Sequence, residues 1–253
     1  MTYKPFRIIG DDRPGPWLIT CDHATNTVPA DVRGGSLGLG QADMGRHIAY
    51  DPGAAGISLA LGELLQAPVV TSNFSRLVID PNRGEDDPTL LMRIYDGTVI
   101  PGNRYVDEAE LQHRLTHCYR PYHDAVARIA ARHDRTVICA VHSFTEQLRG
   151  RAPRPWHVGV LHSHLDSRLA HALIARLEAE DDIVVGDNEP YGGHLPGDSI
   201  DRHALQNGFP NVLIEVRQDL IERQEDQRAW AERLAPLLRG ALADMGGSVR
   251  LTA

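Results

Sequence analysis

The chain predicts an α/β fold: one mostly parallel or mixed central sheet with helices on both faces. Three observations lead there. Strand-like and helix-like runs alternate along the chain. The strand-like runs are short and continuously apolar, as in sheets covered on both sides. No repeat, low-complexity segment or linker divides the 253 residues, so a single domain over 1–253 is expected.

The elements follow in order. Pro16–Cys21 reads as a buried strand that ends at the polar pair Asp22-His23. Residues 54–66 carry Ile57, Leu61, Leu64 and Leu65 at helical spacing, and Pro68–Thr71 is the next strand. A long helix is expected over Asp107–His133, kinked or interrupted at Pro121, which lacks a backbone N–H. Thr136–Val141 and His157–Leu161 are strands. Asp166 or Ser167 caps a helix running to about Glu180, with Leu169, Leu173, Ile174 and Leu177 inward. Asp182–Gly186 is a short strand, Val212–Leu220 holds the last one, and a final helix spans roughly Gln224–Ala243. Two stretches break the alternation: Asp80–Asn103, with Pro81, Pro88 and Pro101, and Asn188–Gln206, with Gly192-Gly193-His194. Loops that long are usually functional, and both could wall a site beyond the carboxyl ends of the strands.

Composition excludes several classes of function. Formal charge is 26 − 34 = −8 with no long basic run, which argues against nucleic acid and membrane surfaces as partners. Cys21, Cys118 and Cys139 lack CxxC spacing, so neither a disulfide framework nor a thiolate metal site is expected. The N-terminus carries no apolar signal core and no run approaches a membrane span, making the cytoplasm the simplest location.

Three polar clusters follow strand-like runs directly: Cys21–Asn26, Val141–Thr145, and the strand carrying Glu215 and Arg217. Strand side chains alternate faces, so Glu215 and Arg217 project to one side, as a working pair or as a buried structural ion pair. His23 and His142 leave buried strands, where neutral imidazole is well placed to bind a metal; the alternative is a histidine hydrogen-bonded at a strand end. His162 and His164 follow another strand and are rival ligands, whereas His47, His113, His117, His123 and His133 read as surface or packing residues. Arg76, Asn82 and Arg83 surround one loop and suit a carboxylate-bearing substrate; the alternative is a solvated Asp80–Arg83 turn.

Taken in order, Cys-Asp-His-Ala-Thr-Asn-x-x-Pro (21–29), Asp51-Pro-Gly-Ala, Ser75-Arg76-x-x-x-Asp80-Pro-Asn82-Arg83, Val141-His-Ser-Phe-Thr and Leu213-Ile-Glu-Val-Arg-Gln-Asp-Leu resemble the N-formylglutamate amidohydrolase family over residues 21–221. The resemblance implies a zinc-carboxypeptidase-like fold and metal-dependent hydrolysis of the amide of an N-formyl or N-acyl amino acid. It implies His23 and His142 as metal ligands for Zn²⁺ or another divalent ion. Asn26 stands where the wider superfamily has a glutamate ligand, so the third ligand is Asn26 or Asp22. Glu215 matches a general base, and Asn82 and Arg83 match a pair that holds a substrate carboxylate. Arg76 is then the candidate oxyanion partner, Arg217 a second carboxylate binder, and Tyr191 and His203 candidate pocket residues. A small anionic N-acyl amino acid is the expected substrate. A zinc peptidase on short or cell-wall peptides and an inactive dicarboxylate-binding module are the competing readings.

Overall fold

The computed structural model describes residues 3–248. Its elements in chain order are β1 (Phe6–Ile9), β2 (Trp17–Cys21), α1 (Gln41–Met44), α2 (Ala54–Leu64), β3 (Val69–Ser72), β4 (Ile94–Tyr95), β5 (Thr98–Val99), α3 (Glu108–Arg114) and α4 (Arg120–Ala130). There follow β6 (Val137–Phe144), β7 (Val158–Leu161), α5 (Arg168–Leu177), β8 (Val185–Asp187), α6 (Ser199–His203), β9 (Asn211–Arg217) and α7 (Gln224–Ser248).

Seven strands form one sheet in the order β1-β3-β2-β6-β9-β7-β8. Its centre, β3-β2-β6-β9, is parallel, while β1 runs antiparallel to β3 and β7 antiparallel to β9. The sheet is therefore mixed. The segment from β6 to β7 contains no helix, and a parallel pairing would need a covering crossover there.

Alternation along the strands splits the core into two layers. Ile19, Cys139, Val141, Val212 and Ile214 face α2, α5 and α7. Leu18, Ile138, Ala140 and Leu213 face the other side, with Tyr122, Val126 and Ile129 of α4 and the buried loop residues Leu77, Val78 and Ile79. Among the described residues no helix is long and apolar enough to cross a membrane.

Several elements differ from the sequence reading. The expected helix over Asp107–His133 is α3 and α4 joined by a wide π-type turn, Leu115–Tyr119, just before Pro121. Opening that turn accommodates the missing proline donor without a sharp break. The Asp80–Asn103 stretch contains the β4–β5 hairpin, closed by Asp96 and Gly97, both at positive φ as the tight hairpin turn demands. The Asn188–Gln206 stretch contains α6, capped by the Asp198 carboxylate on the Asp201 N–H. The last helix extends to Ser248 and carries Pro236 within it.

Candidate active site

Following the inward face of two adjacent strands locates the chemistry. On β6 the apolar positions Ile138 and Ala140 give way to His142, and on β9 Leu213 gives way to Glu215. His142 and Glu215 are direct partners in the parallel ladder, both buried. The neighbouring strand β2 ends at Asp22 and His23, also buried. Three parallel strands thus deliver polar side chains to one carboxyl-terminal edge, where open α/β sheets bind ligands.

Asp51 completes the arrangement from the loop before α2. Its backbone N–H donates to the His23 carbonyl at 2.9 Å. Gly53 then turns the chain with φ 81°, and a Cβ there would lie 2.6 Å from Ile221 Cδ1, so only glycine lets α2 start this close. The Asp51 carboxylate is held between the two imidazoles. His23 Nδ1 lies 3.1 Å and His142 Nδ1 2.9 Å from the same oxygen, Asp51 Oδ2, and the rings are 4.9 Å apart.

The outer ring nitrogens are backed by further acids. His23 Nε2 is 2.7 Å from Asp80 Oδ1, and His142 Nε2 faces Asp22 Oδ2 at 3.4 Å. Asp22 also accepts a hydrogen bond from the Tyr122 hydroxyl. Arg76 spans two of these carboxylates, at 2.8 Å from Asp80 and 3.3 Å from Asp51.

Charge explains the perturbed ionisation. Burial would raise Asp22 and Asp51, yet the histidines overcome it, holding Asp22 near 2 and Asp51 well below the usual carboxylate range. Burial would also raise Asp80, but Arg76 and His23 lower it. His142 moves the other way: burial opposes its charge, but Asp22, Asp51 and Glu215 push its pKa well above normal. Burial lifts the Glu215 carboxyl to about 7, and among the described residues its Oε2 has no hydrogen-bond partner.

These donors fit a divalent cation. With both imidazoles neutral, as metal binding requires, giving each Nε2–H to its backing acid leaves two Nδ1 lone pairs facing one carboxylate oxygen, an unfavourable contact. A cation among His23, His142 and Asp51 resolves that conflict, and a carboxylate behind each histidine is the usual outer support of a metal-bound imidazole. Two nitrogens and one carboxylate oxygen suit zinc, with room for water.

The site opens into a cleft of about 290 Å³ whose lining includes Arg76, Asn82, Arg83, Tyr191, Glu215 and both histidines. A larger cavity, about 570 Å³, lies away from this chemistry among Glu85–Arg93 and Asn103–Leu111.

The model of a protein family, N-formylglutamate amidohydrolase, matches residues 15–222. The chain belongs to the N-formylglutamate amidohydrolase family. The structure of a gene product from Agrobacterium tumefaciens is similar at 36% identity with a TM-score of 0.90, covering 96% of this chain and 97% of that one. An N-formylglutamate amidohydrolase from Ralstonia eutropha JMP134 is similar at 20% identity and TM-score 0.73, over 97% and 100% of the two chains. A bacteriophage poly-gamma-glutamate hydrolase shares the fold more distantly, at 11% identity and TM-score 0.50, over 98% and 92%. No curated protein matches the chain. Family membership makes this protein an amidohydrolase, an enzyme acting on an amide bond.

The other sequence candidates in this family member divide into two groups. Arg83 sits in the cleft, its Nε on Thr89 Oγ1 at 3.0 Å and its Nη1 on the Asn82 carbonyl at 2.6 Å. Asn82 donates its N–H to Asp80 Oδ1 at 2.9 Å. The Tyr191 hydroxyl accepts from Arg154 at 3.0 Å, with the guanidinium over its ring.

Three candidates lie elsewhere. The Asn26 amide donates to the Met44 carbonyl at 2.8 Å, and Asp51 holds the place between the histidines that Asn26 was expected to fill. Arg217 turns to Asp219 at 2.8 Å and to the carbonyls of Arg154, Pro155 and Trp156, so the expected same-side pair with Glu215 does not form. A carboxylate and three carbonyls near the strand end outcompete a partner deeper in the core. His203 is buried against His123, Nε2 to Nδ1 at 2.8 Å, beside a separate cavity of about 220 Å³.

The sequence reading gave Asp51 no role, offered a solvated Asp80–Arg83 turn as one alternative, and took His47 as a surface or packing residue. Asp51-Pro-Gly follows the apolar Ile48-Ala49, a signal that its carboxylate enters a buried setting. Asp80 is buried with Arg76 and His23, and is not the solvated partner of Arg83. His47 lines the cleft, its buried Nε2 3.6 Å from Asp96 Oδ2.

Proposed function

We propose that this amidohydrolase is metal-dependent and cleaves the amide of a small N-formyl or N-acyl amino acid, N-formylglutamate-like, with Glu215 as general base. One observation carries the reading: a buried carboxyl with a free oxygen and a pKa near 7 stands next to His142 at the mouth of a His–Asp–His cluster. A general base works best when its pKa lies near the operating pH.

His23, Asp51 and His142 would hold the metal, with Asp80 and Asp22 orienting the two imidazoles. A divalent ion there, zinc being the best fit to these donors, would polarise the scissile carbonyl and make water a better nucleophile. Glu215 Oε2 takes a proton from the attacking water and returns it to the leaving nitrogen, so the amide yields a carboxylate and an amine. Arg76, which lines the cleft beside Asp51 and Asp80, aims a guanidinium at the oxyanion that develops at the carbonyl. Asn82 and Arg83 bind the α-carboxylate and set the carbonyl against the cluster. Tyr191 lines the cleft. A cleft of about 290 Å³ suits an acylated amino acid better than an extended peptide.

The test is a screen of N-formyl and N-acyl amino acids with wild type and Glu215→Gln. Turnover of an acidic N-acyl amino acid, abolished in the variant while inhibitor affinity persists, is the expected result. Normal turnover by Glu215→Gln would remove Glu215 from the mechanism, and a preference for peptides would overturn the substrate class.

A further inference from the structure

A second cluster of ligand-type side chains lies outside the cleft, at the far end of the sheet. His162 follows β7, Asp187 ends β8 and His171 sits on the outer face of α5. Each offers one donor atom, and the three atoms lie within 4.8 Å of one another. His162 Nε2 is 2.8 Å from Asp187 Oδ1, and the rings of His162 and His171 meet edge to face with centroids 4.7 Å apart.

An ion pair alone leaves this geometry unexplained. Asp187 is 58% exposed on its side chain, and a pair this open contributes little stability. His162, in contrast, is nearly buried, and its Nε2 sits between the Asp187 carboxylate at 2.8 Å and the Asn188 amide nitrogen at 3.3 Å, an acceptor and a donor that no single protonation state of that nitrogen satisfies. Among the described residues, the His171 ring makes no hydrogen bond. The position of His162 is set by its backbone, whose N–H donates to Asn188 Oδ1 at 2.9 Å. Two imidazoles and a carboxylate are thus brought together from three separate elements, with unused donor capacity.

We propose that His162, His171 and Asp187 form a second divalent-cation site, independent of the His23–Asp51–His142 cluster. Two nitrogens and one oxygen select a borderline ion such as Zn²⁺ or Ni²⁺ over Mg²⁺ or Ca²⁺, which prefer oxygen donors. Solvent completes the coordination shell, because Asp187 and His171 are exposed. The site is structural: it ties β7, β8 and α5 together. It also fixes the start of the loop whose residues Tyr191, Gly192 and Gly193 line the cleft. It binds more weakly than the buried cluster, since it has fewer acids behind it and competes with water.

The experiment is a zinc titration by calorimetry of full-length protein stripped with chelator, comparing wild type with His171→Ala, Asp187→Asn and His142→Ala. His171 and Asp187 are exposed, so their variants keep the fold, and matching melting curves without metal verify that. The expected result is a second, weaker equivalent in wild type that disappears in His171→Ala and Asp187→Asn but persists in His142→Ala. Hydrogen exchange at residues 188–194 should slow with that second equivalent only in proteins that bind it. Equal zinc stoichiometry in wild type, His171→Ala and Asp187→Asn would overturn the site. Because His142→Ala isolates the weaker event, a failure of the buried cluster to bind metal would be seen separately.

Discussion

Two pairs of buried histidines in this molecule have almost the same spacing and opposite electrostatics. His23 and His142 lie with ring centroids 4.9 Å apart, His123 and His203 with centroids 5.1 Å apart. The first pair is ringed by Asp22, Asp51, Asp80 and Glu215, and His142 is driven well above its ordinary pKa. Among the described residues the second pair makes no carboxylate hydrogen bond; burial drives His123 well below the normal range and His203 down to about 4. Desolvation acts on both, so the acids make the difference. They convert a place that rejects positive charge into one that attracts it. The rim cluster of His162, His171 and Asp187 falls between, with one acid and partial exposure.

The largest effect expected is catalytic. Glu215→Gln keeps the shape of the site and removes the proposed base, so kcat should fall by about 10²–10⁴-fold with zinc affinity nearly intact. Steady-state kinetics beside a zinc titration check both halves, and an unchanged kcat would remove the special role given to this acid.

Next come the acids behind the histidines. Asp80→Asn and Asp22→Asn each make the proposed metal-binding pair more like the carboxylate-free pair, and each should weaken metal binding by about 10–100-fold. Competition with a chromophoric chelator measures this. Affinity unchanged in both variants would mean that the donor set, not its backing, decides binding.

A pH experiment separates the two pairs by sign. His203 has a folded pKa of about 4 against about 6.5 when unfolded, so the unfolded chain takes up its proton first as pH falls. Its burial therefore costs nothing above pH 6.5, destabilises the fold progressively below it, and levels off near pH 4. The total is on the order of 3 kcal/mol. His142 tilts the other way in metal-free protein, its raised pKa stabilising the fold below pH 6.5 and losing that contribution as pH rises through the folded value. Urea unfolding of wild type and His203→Gln at pH 7 and 4.5 isolates the first term: the variant should lose less stability on acidification. Parallel pH dependences would mean that His203 is not held neutral.

The smallest effect is at the rim, where His171→Ala should alter kcat/KM by no more than about twofold, as for exposed substitutions remote from the chemistry. A large loss would couple the rim cluster to the reaction itself.

The same comparison shows what the sequence could reveal. Apolar strand runs and helical spacing located β2 and β7 within a residue and β6, β9 and α5 within about three, and mark the region where His23, His142 and Glu215 emerge. Periodicity along one strand, however, says nothing about what approaches from another segment. Asp51 reaches the histidines through a turn that only Gly53 permits, and Asp80 through a loop that reads as solvated because prolines and charges surround it. Arg217 shares the face of Glu215 by parity, but the local carbonyls and Asp219 capture it. His203 sits in a stretch whose glycines and prolines suggest a loop, while the chain folds it into α6 against His123. Residue types were legible where one strand carried them; partnerships between distant segments were not.

The most direct test of the account is the metal content of protein purified without chelator or added metal, measured beside His142→Ala and His203→Gln. One tightly held divalent ion per chain in wild type and His203→Gln, absent from His142→Ala, is the expected result. Tight metal retained by His142→Ala, or lost equally from His203→Gln, would contradict the claim that the carboxylate-ringed histidine pair is the metal centre.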